Sequence, residues 1–175
     1  MKYPIGIQQF EKLREEDWIY VDKTEHIYNL VQGGTCYFLS RPRRFGKSML
    51  LSTLDAYFQG KKHLFKGLAI EQLETEWAEH AVLHLDLNAE KYTAPEDLTN
   101  ILDTYLREWE EKYESTEKEN PSLSQRFRSV IRAAKQKTGR NVVVLVDEYD
   151  KPMLQAIDNE ELQTEFRNAL KAFYG

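Results

Sequence analysis

The chain has one cysteine, no long apolar run and no tract of low complexity. A single cysteine, Cys36, excludes an internal disulfide, and its place in a short apolar run reads as a small buried side chain. No apolar stretch approaches the roughly 20 residues that a membrane helix needs. No charged leader with an apolar core opens the sequence, so a cytoplasmic protein without a membrane partner is expected. Positive charge is also in deficit. Lys and Arg number 24 against 29 Asp and Glu, a net charge of −5, so the surface as a whole lacks the basic face that non-specific nucleic-acid binding needs. What the chain does have is 175 residues, 41% of them hydrophobic, with 10 Tyr and 8 Phe. That suffices for one globular domain with a core, and it argues against disorder.

One stretch, Arg41-Pro42-Arg43-Arg44-Phe45-Gly46-Lys47-Ser48, is locally basic. Before it, Cys36-Tyr37-Phe38-Leu39 reads as a buried strand; after it, Met49-Leu50-Leu51-Ser52-Thr53-Leu54 reads as a helix. Strand, loop and helix in that order are the context of a phosphate-gripping P-loop. The loop amides and the helix N-terminus offer unpaired donors and partial positive charge to phosphate. Lys47 can reach the outer phosphates, and the Ser48 hydroxyl can bind magnesium. Gly46 suits the tight turn before the lysine. The expected nucleotide-contacting set is therefore Arg41, Phe45, Gly46, Lys47, Ser48 and Met49. Arg41 stands where the pattern G-x-x-x-x-G-K-[S/T] has its first glycine, and Pro42 follows, so the loop opens without a left-handed glycine there. In exchange, Arg41, Arg43 and Arg44 place positive charge where a triphosphate would lie. Taken alone, the stretch also fits a basic surface loop before an ordinary helix.

A second motif is Asn141-Val142-Val143-Val144-Leu145-Val146-Asp147-Glu148-Tyr149-Asp150. Five successive aliphatic residues, four of them β-branched, describe a strand buried on both faces, as in a parallel sheet covered by helices. Carboxylates at its carboxyl end fall in the crevice where open α/β sheets bind ligands. Asp147 would hold magnesium and Glu148 would polarise the water that attacks the γ-phosphate, an arrangement of Walker B type. Capping of the next helix is the structural alternative for these two residues. Together with a lysine loop roughly a hundred residues upstream, the nucleotide reading is favoured, because each motif fixes the other's place in one fold.

Between and around the motifs the pattern is αβ throughout. Trp18-Ile19-Tyr20-Val21 is a short strand candidate, and Thr24 is suited to cap a helix from Glu25 to about Gln32. Lys61 to Glu79 mixes turns with short helical pieces. Ala81 to Leu87 is a second strand. Thr93 to about Lys118 is an amphipathic helix with an acidic first turn, and Tyr105, Trp109 and Tyr113 on it read as core. Leu123 to Gly139 is another helix. Asp150 can cap a helix with Pro152 in its first turn, and Leu162, Phe166, Leu170 and Phe173 give a last helix one apolar face. His80 and His84 are four apart but fall at the start of and within a strand, where that spacing does not form the helical pair of a zinc protease, and no glutamate follows His80. Asp86, ending the second strand, is a candidate for the same crevice as Asp147.

These residues resemble a known family. Ile5-Gly6-Ile7 through Phe10, Tyr20-Val21-Asp22-Lys23-Thr24, the Arg41 to Ser48 loop, Tyr57-Phe58, Leu64-Phe65-Lys66-Gly67-Leu68 and Val146 to Pro152 are similar to the bacterial AAA-ATPase-like proteins, over nearly the whole chain. In that family the missing first glycine is normal. The resemblance implies a P-loop NTPase of the additional-strand class, a three-layer α/β sandwich with a mostly parallel sheet. It also implies a following domain like the PD-(D/E)XK nucleases, whose core nothing here matches. The chain stops at Phe173-Tyr174-Gly175, where the resemblance implies a further strand with a sensor residue. Residues 1–175 are accordingly expected to form the amino-terminal part of the ATPase domain, truncated before that strand and poorly active alone.

The function expected is an ATP-binding, magnesium-dependent ATPase module that drives or gates an attached effector. Lys47 and the loop amides hold phosphate, Ser48 and Asp147 the magnesium, and Glu148 the water, with Arg43 or Arg44 neutralising transition-state charge. Two other readings are a nucleotide-sensing module without significant hydrolysis and the regulatory part of a nucleic-acid-processing, nuclease-like protein. The net charge counts against DNA binding by these residues, and the absence of a guanine-reading Asn-Lys-x-Asp run favours ATP.

Overall fold

A computed structural model describes residues 2–42, 44–88, 91–116 and 121–174. They divide into two units, Met1–Val82 and Leu83–Gly175, each with its own core.

The first unit is built on aromatic packing. It contains α1 (Phe10–Glu15), α2 (Thr24–Gly33), α3 (Lys47–Phe58), a 3-10 turn at Lys62–Phe65 and α4 (Ile70–Leu73). Phe10 and Phe65 are fully buried, with ring centroids 4.9 Å apart, and Tyr20 and Trp77 each lie 5.1 Å from one of them. Burying a side chain of this size is worth about 1.5–3 kcal/mol, so a few such rings anchor short helices that would not persist alone. Long-range polar bonds fix the segments between them. The Arg14 guanidinium donates to the carbonyls of Leu64 and Lys66, both at 2.7 Å. Asp22 accepts from Thr24 N–H at 2.9 Å, from the Thr24 hydroxyl at 2.7 Å and from Ala69 N–H at 2.7 Å. Partial burial pushes the Asp22 carboxyl up, but the Thr24 and Ala69 donors outweigh it and hold it below its ordinary range. Thr24 is therefore not the helix cap that its residue type suggests. Lys23 is the N-cap, and Thr24 is buried inside the first turn, where its hydroxyl accepts from Ile70 N–H at 3.1 Å.

Two expected strands of this unit are absent among the described residues. Trp18 to Val21 is reduced to one parallel bridge between Lys2 and Trp18. Cys36 to Leu39 is irregular, with Cys36 exposed and Phe38 69% exposed. A strand needs a neighbour to take its N–H and C=O groups, and an apolar run does not supply one.

The second unit carries the sheet. Its elements are β1 (Val82–Asp86), α5 (Pro95–Tyr113), α6 (Leu123–Thr138), β2 (Val143–Asp147), α7 (Lys151–Gln155) and α8 (Glu160–Tyr174). β1 and β2 pair in parallel as a two-stranded sheet. Leu83, Leu85 and Leu87 point to one face and are fully buried. Leu98, Leu102 and Leu106 of α5, Val130 of α6 and Phe166 of α8 are fully buried with them, as their helical spacing requires. Phe127 stacks on Phe173 at 4.5 Å. The helix ends obey local rules. Ser122 and Gln125 form a reciprocal cap at the start of α6, Gly139 closes it with φ 68°, and the Asp97 carboxylate accepts from Thr93 and Ala94 N–H before α5. β2 departs from expectation in one respect. It is covered on one face only, with Val144 38% exposed, because a two-stranded sheet does not have the second helical layer that an all-aliphatic strand suggests.

Candidate nucleotide-binding site

The candidate residues fall into two groups, one per unit. The basic loop belongs to the first. Arg44 and Gly46 both have left-handed backbones, with φ 67° and 78°. A Cβ added at Gly46 would meet nothing within 4 Å, so its requirement for glycine is conformational and not steric. Arg44 bears the same conformation with a side chain, at a cost of about 1–2 kcal/mol. Gly46, which has no side chain to cap with, is the N-cap of α3, and among the described residues no side chain bonds the first-turn amides, while Leu50 N–H donates to Gly46 carbonyl at 2.9 Å to begin the helical ladder. The start of α3 therefore keeps its donors and its partial positive charge. Lys47 is the first helical residue. Its Nζ donates to the Arg41 carbonyl at 3.0 Å and spans the loop from its end to its beginning. Arg41 and Phe45 lie on the loop, Gly46 at the N-cap and Lys47, Ser48 and Met49 in the first turn of α3, whereas Arg43 lies outside the described residues. One turn further along α3, the Ser52 hydroxyl accepts from Phe10 N–H at 2.8 Å and tethers α3 to the start of α1.

The acidic group lies in the second unit, at the carboxyl end of the sheet. Asp147 is only 8% exposed. Its Oδ1 accepts from Glu148 N–H at 2.9 Å and its carbonyl accepts from Leu87 N–H at 3.1 Å, which aligns the ends of β1 and β2. Glu148 has φ 51°, a second costly left-handed position, and strain of this kind gathers where function requires a particular side-chain direction. Asp86 lies at the end of β1, but its carboxylate is turned to Asn88 N–H at 2.8 Å, closing a local turn. Asp150 is the N-cap of α7 without a side-chain bond to it, so the expected cap is not made; the turn is held instead by Lys151 N–H on Glu148 carbonyl at 3.0 Å. The histidines part company. His80 lies edge-on to Phe58 in the first unit and His84 sits in β1, and among the described residues no group of three metal-ligating side chains occurs. Lys151 is the residue that sequence reasoning passed over. Its Nζ donates to the carbonyl of Asn88, 63 positions away, and no spacing rule announces such a bond.

The family of predicted AAA-ATPases matches residues 4–175. A protein of Azotobacter chroococcum mcd 1, described as an uncharacterized protein in the vnfD 5' region, is 42% identical over 177 residues, covering 99% of this chain and 34% of that protein. The chain thus spans about a third of the length of that curated relative. No solved structure matches it.

Proposed function

The chain belongs to the predicted AAA-ATPase family, and from that premise we propose an ATP-binding module with magnesium-dependent hydrolysis that drives or gates an attached effector. The observation that carries the reading is the start of α3, where a left-handed Gly46 leaves the first amides without a side-chain cap and Lys47 follows at once. An uncapped helix start beside an ammonium is an anion site by physical chemistry alone. In this reading Lys47 and the loop amides hold the outer phosphates, and Arg41, Phe45 and Met49 flank them. Arg44 and Arg43 offset charge that develops in the transition state.

Magnesium is implied by the family, and each unit carries a hard oxygen donor whose chemistry suits it. In the second unit the Glu148 amide engages Oδ1 of Asp147, whose other oxygen would serve, and in the first Ser48 has a hydroxyl in the first turn of α3. When bound, the ion would neutralise charge on the phosphate oxygens. Glu148 is the group assigned to polarise the attacking water. The fold proposed for the complete domain is the three-layer P-loop sandwich, with residues 1–175 as part of it. A nuclease-like domain is the effector that the resemblance implies. A cytoplasmic setting is part of the same proposal; among the described residues no helix is long and apolar enough to cross a membrane.

The experiment is steady-state ATP hydrolysis by the full-length protein and by its Glu148→Gln variant, with nucleotide binding measured in parallel. Loss of a general base lowers turnover by about 100-fold or more while leaving affinity near that of the parent. Binding without measurable turnover in the parent would favour the nucleotide-sensing reading. Equal turnover in the two chains would remove Glu148 from the chemistry.

A further inference from the structure

At the carboxyl ends of β1 and β2, three hydrogen bonds close into a ring. Leu87 N–H donates to Asp147 carbonyl at 3.1 Å, Lys151 N–H donates to Glu148 carbonyl at 3.0 Å, and Lys151 Nζ donates to Asn88 carbonyl. The peptide links from Leu87 to Asn88 and from Asp147 to Glu148 complete the circuit. Glu148 lies inside it with φ 51°. Two bonds brace the ring locally, Glu148 N–H on Asp147 Oδ1 at 2.9 Å and Asn88 N–H on Asp86 Oδ1 at 2.8 Å. Further along, Tyr92 is 1% exposed, its N–H donates to Gln155 Oε1 of α7 at 2.8 Å and its hydroxyl donates to Leu87 carbonyl at 2.8 Å.

A side-chain-bearing residue stays left-handed only where its surroundings over-determine it. Two of the three ring bonds join main chain to main chain. The third is made by a side chain, and it is charge-assisted, the stronger kind. Lys151 is therefore the one member through which a substitution can open the ring.

We propose that Lys151 is a positioning residue that ties the Glu148 turn to Asn88, holds Glu148 in its left-handed conformation and so sets the direction of its carboxylate. The catalytic half of this inference rests on the ATPase reading; the conformational half does not.

The test uses the full chain and two readouts. Glu148→Gly should relieve strain and raise Tm by about 3 °C when Lys151 is present, whereas in a Lys151→Met background, where Glu148 can already relax, the gain should fall below about 1 °C. Lys151→Ala serves if Lys151→Met does not fold. In hydrolysis, Lys151→Met should lower kcat about 10-fold with KM for ATP changed less than about twofold, and Lys151→Arg should restore most of the rate. Equal Tm gains in both backgrounds, or no gain in either, overturn the proposal whatever the protein's activity. Coupled Tm values together with no ATP hydrolysis by the full-length parent protein uphold the positioning and sink the ATPase reading instead. Coupled Tm values with an unchanged kcat, or an effect on KM alone, overturn the catalytic role of Lys151.

Discussion

The segment Cys36 to Leu39 and the strand β2 present nearly the same sequence signal, an apolar run that ends at a charged motif, yet they have different structures. β2 is a strand with Leu145 7% exposed; Cys36 to Leu39 is irregular with Phe38 69% exposed. The difference is the neighbour. β2 has β1 beside it and a bond from Leu87 N–H to Asp147 carbonyl at its end, while among the described residues no strand pairs with Cys36 to Leu39. An apolar run states a need for burial and leaves the partner unspecified.

Four substitutions sharpen the contrast, read by denaturant unfolding. Leu145→Ala should cost about 2–5 kcal/mol, as truncation in a packed core does. Asp22→Ala, which removes the acceptor for Thr24 and Ala69, should cost about 1–2 kcal/mol after allowance for solvent at this exposed carboxylate. The sign with pH follows from its lowered titration point. The stabilisation is present above the unfolded value near 3.8 and is lost as pH falls through the folded value, so the parent should weaken in acid more steeply than Asp22→Ala. Parallel acid profiles would show that Asp22 contributes nothing through its charge. Ser122→Ala should cost about 1 kcal/mol, the worth of a helix cap. Phe38→Ser should stay within about 0.5 kcal/mol, as an exposed position does. A Phe38→Ser chain that unfolds as readily as Leu145→Ala would place Phe38 in a core.

What was legible in the sequence follows the same division. α5, α6 and α8 show their buried stripes in their spacing, and the caps at Ser122 and Gly139 are written in adjacent residues. The start of α3 at the lysine loop and the end of β2 at Asp147 were legible because short motifs encode local backbone chemistry. The rest depends on pairs far apart in the chain. Nothing local says that Asp22 meets Ala69, that Arg14 meets Leu64, or that Lys151 meets Asn88. Thr24 was misplaced as a cap for that reason, since Asp22 and Ile70 claim its hydroxyl.

The central claim is that the start of α3 grips a nucleotide triphosphate through Lys47. Calorimetric titration of ATP with magnesium into the parent and into Lys47→Ala measures it directly. Loss of a charge-assisted contact to phosphate predicts saturable binding in the parent and affinity lower by about 10-fold or more in the variant. Equal affinity in the two chains, or no binding to the parent, would contradict it.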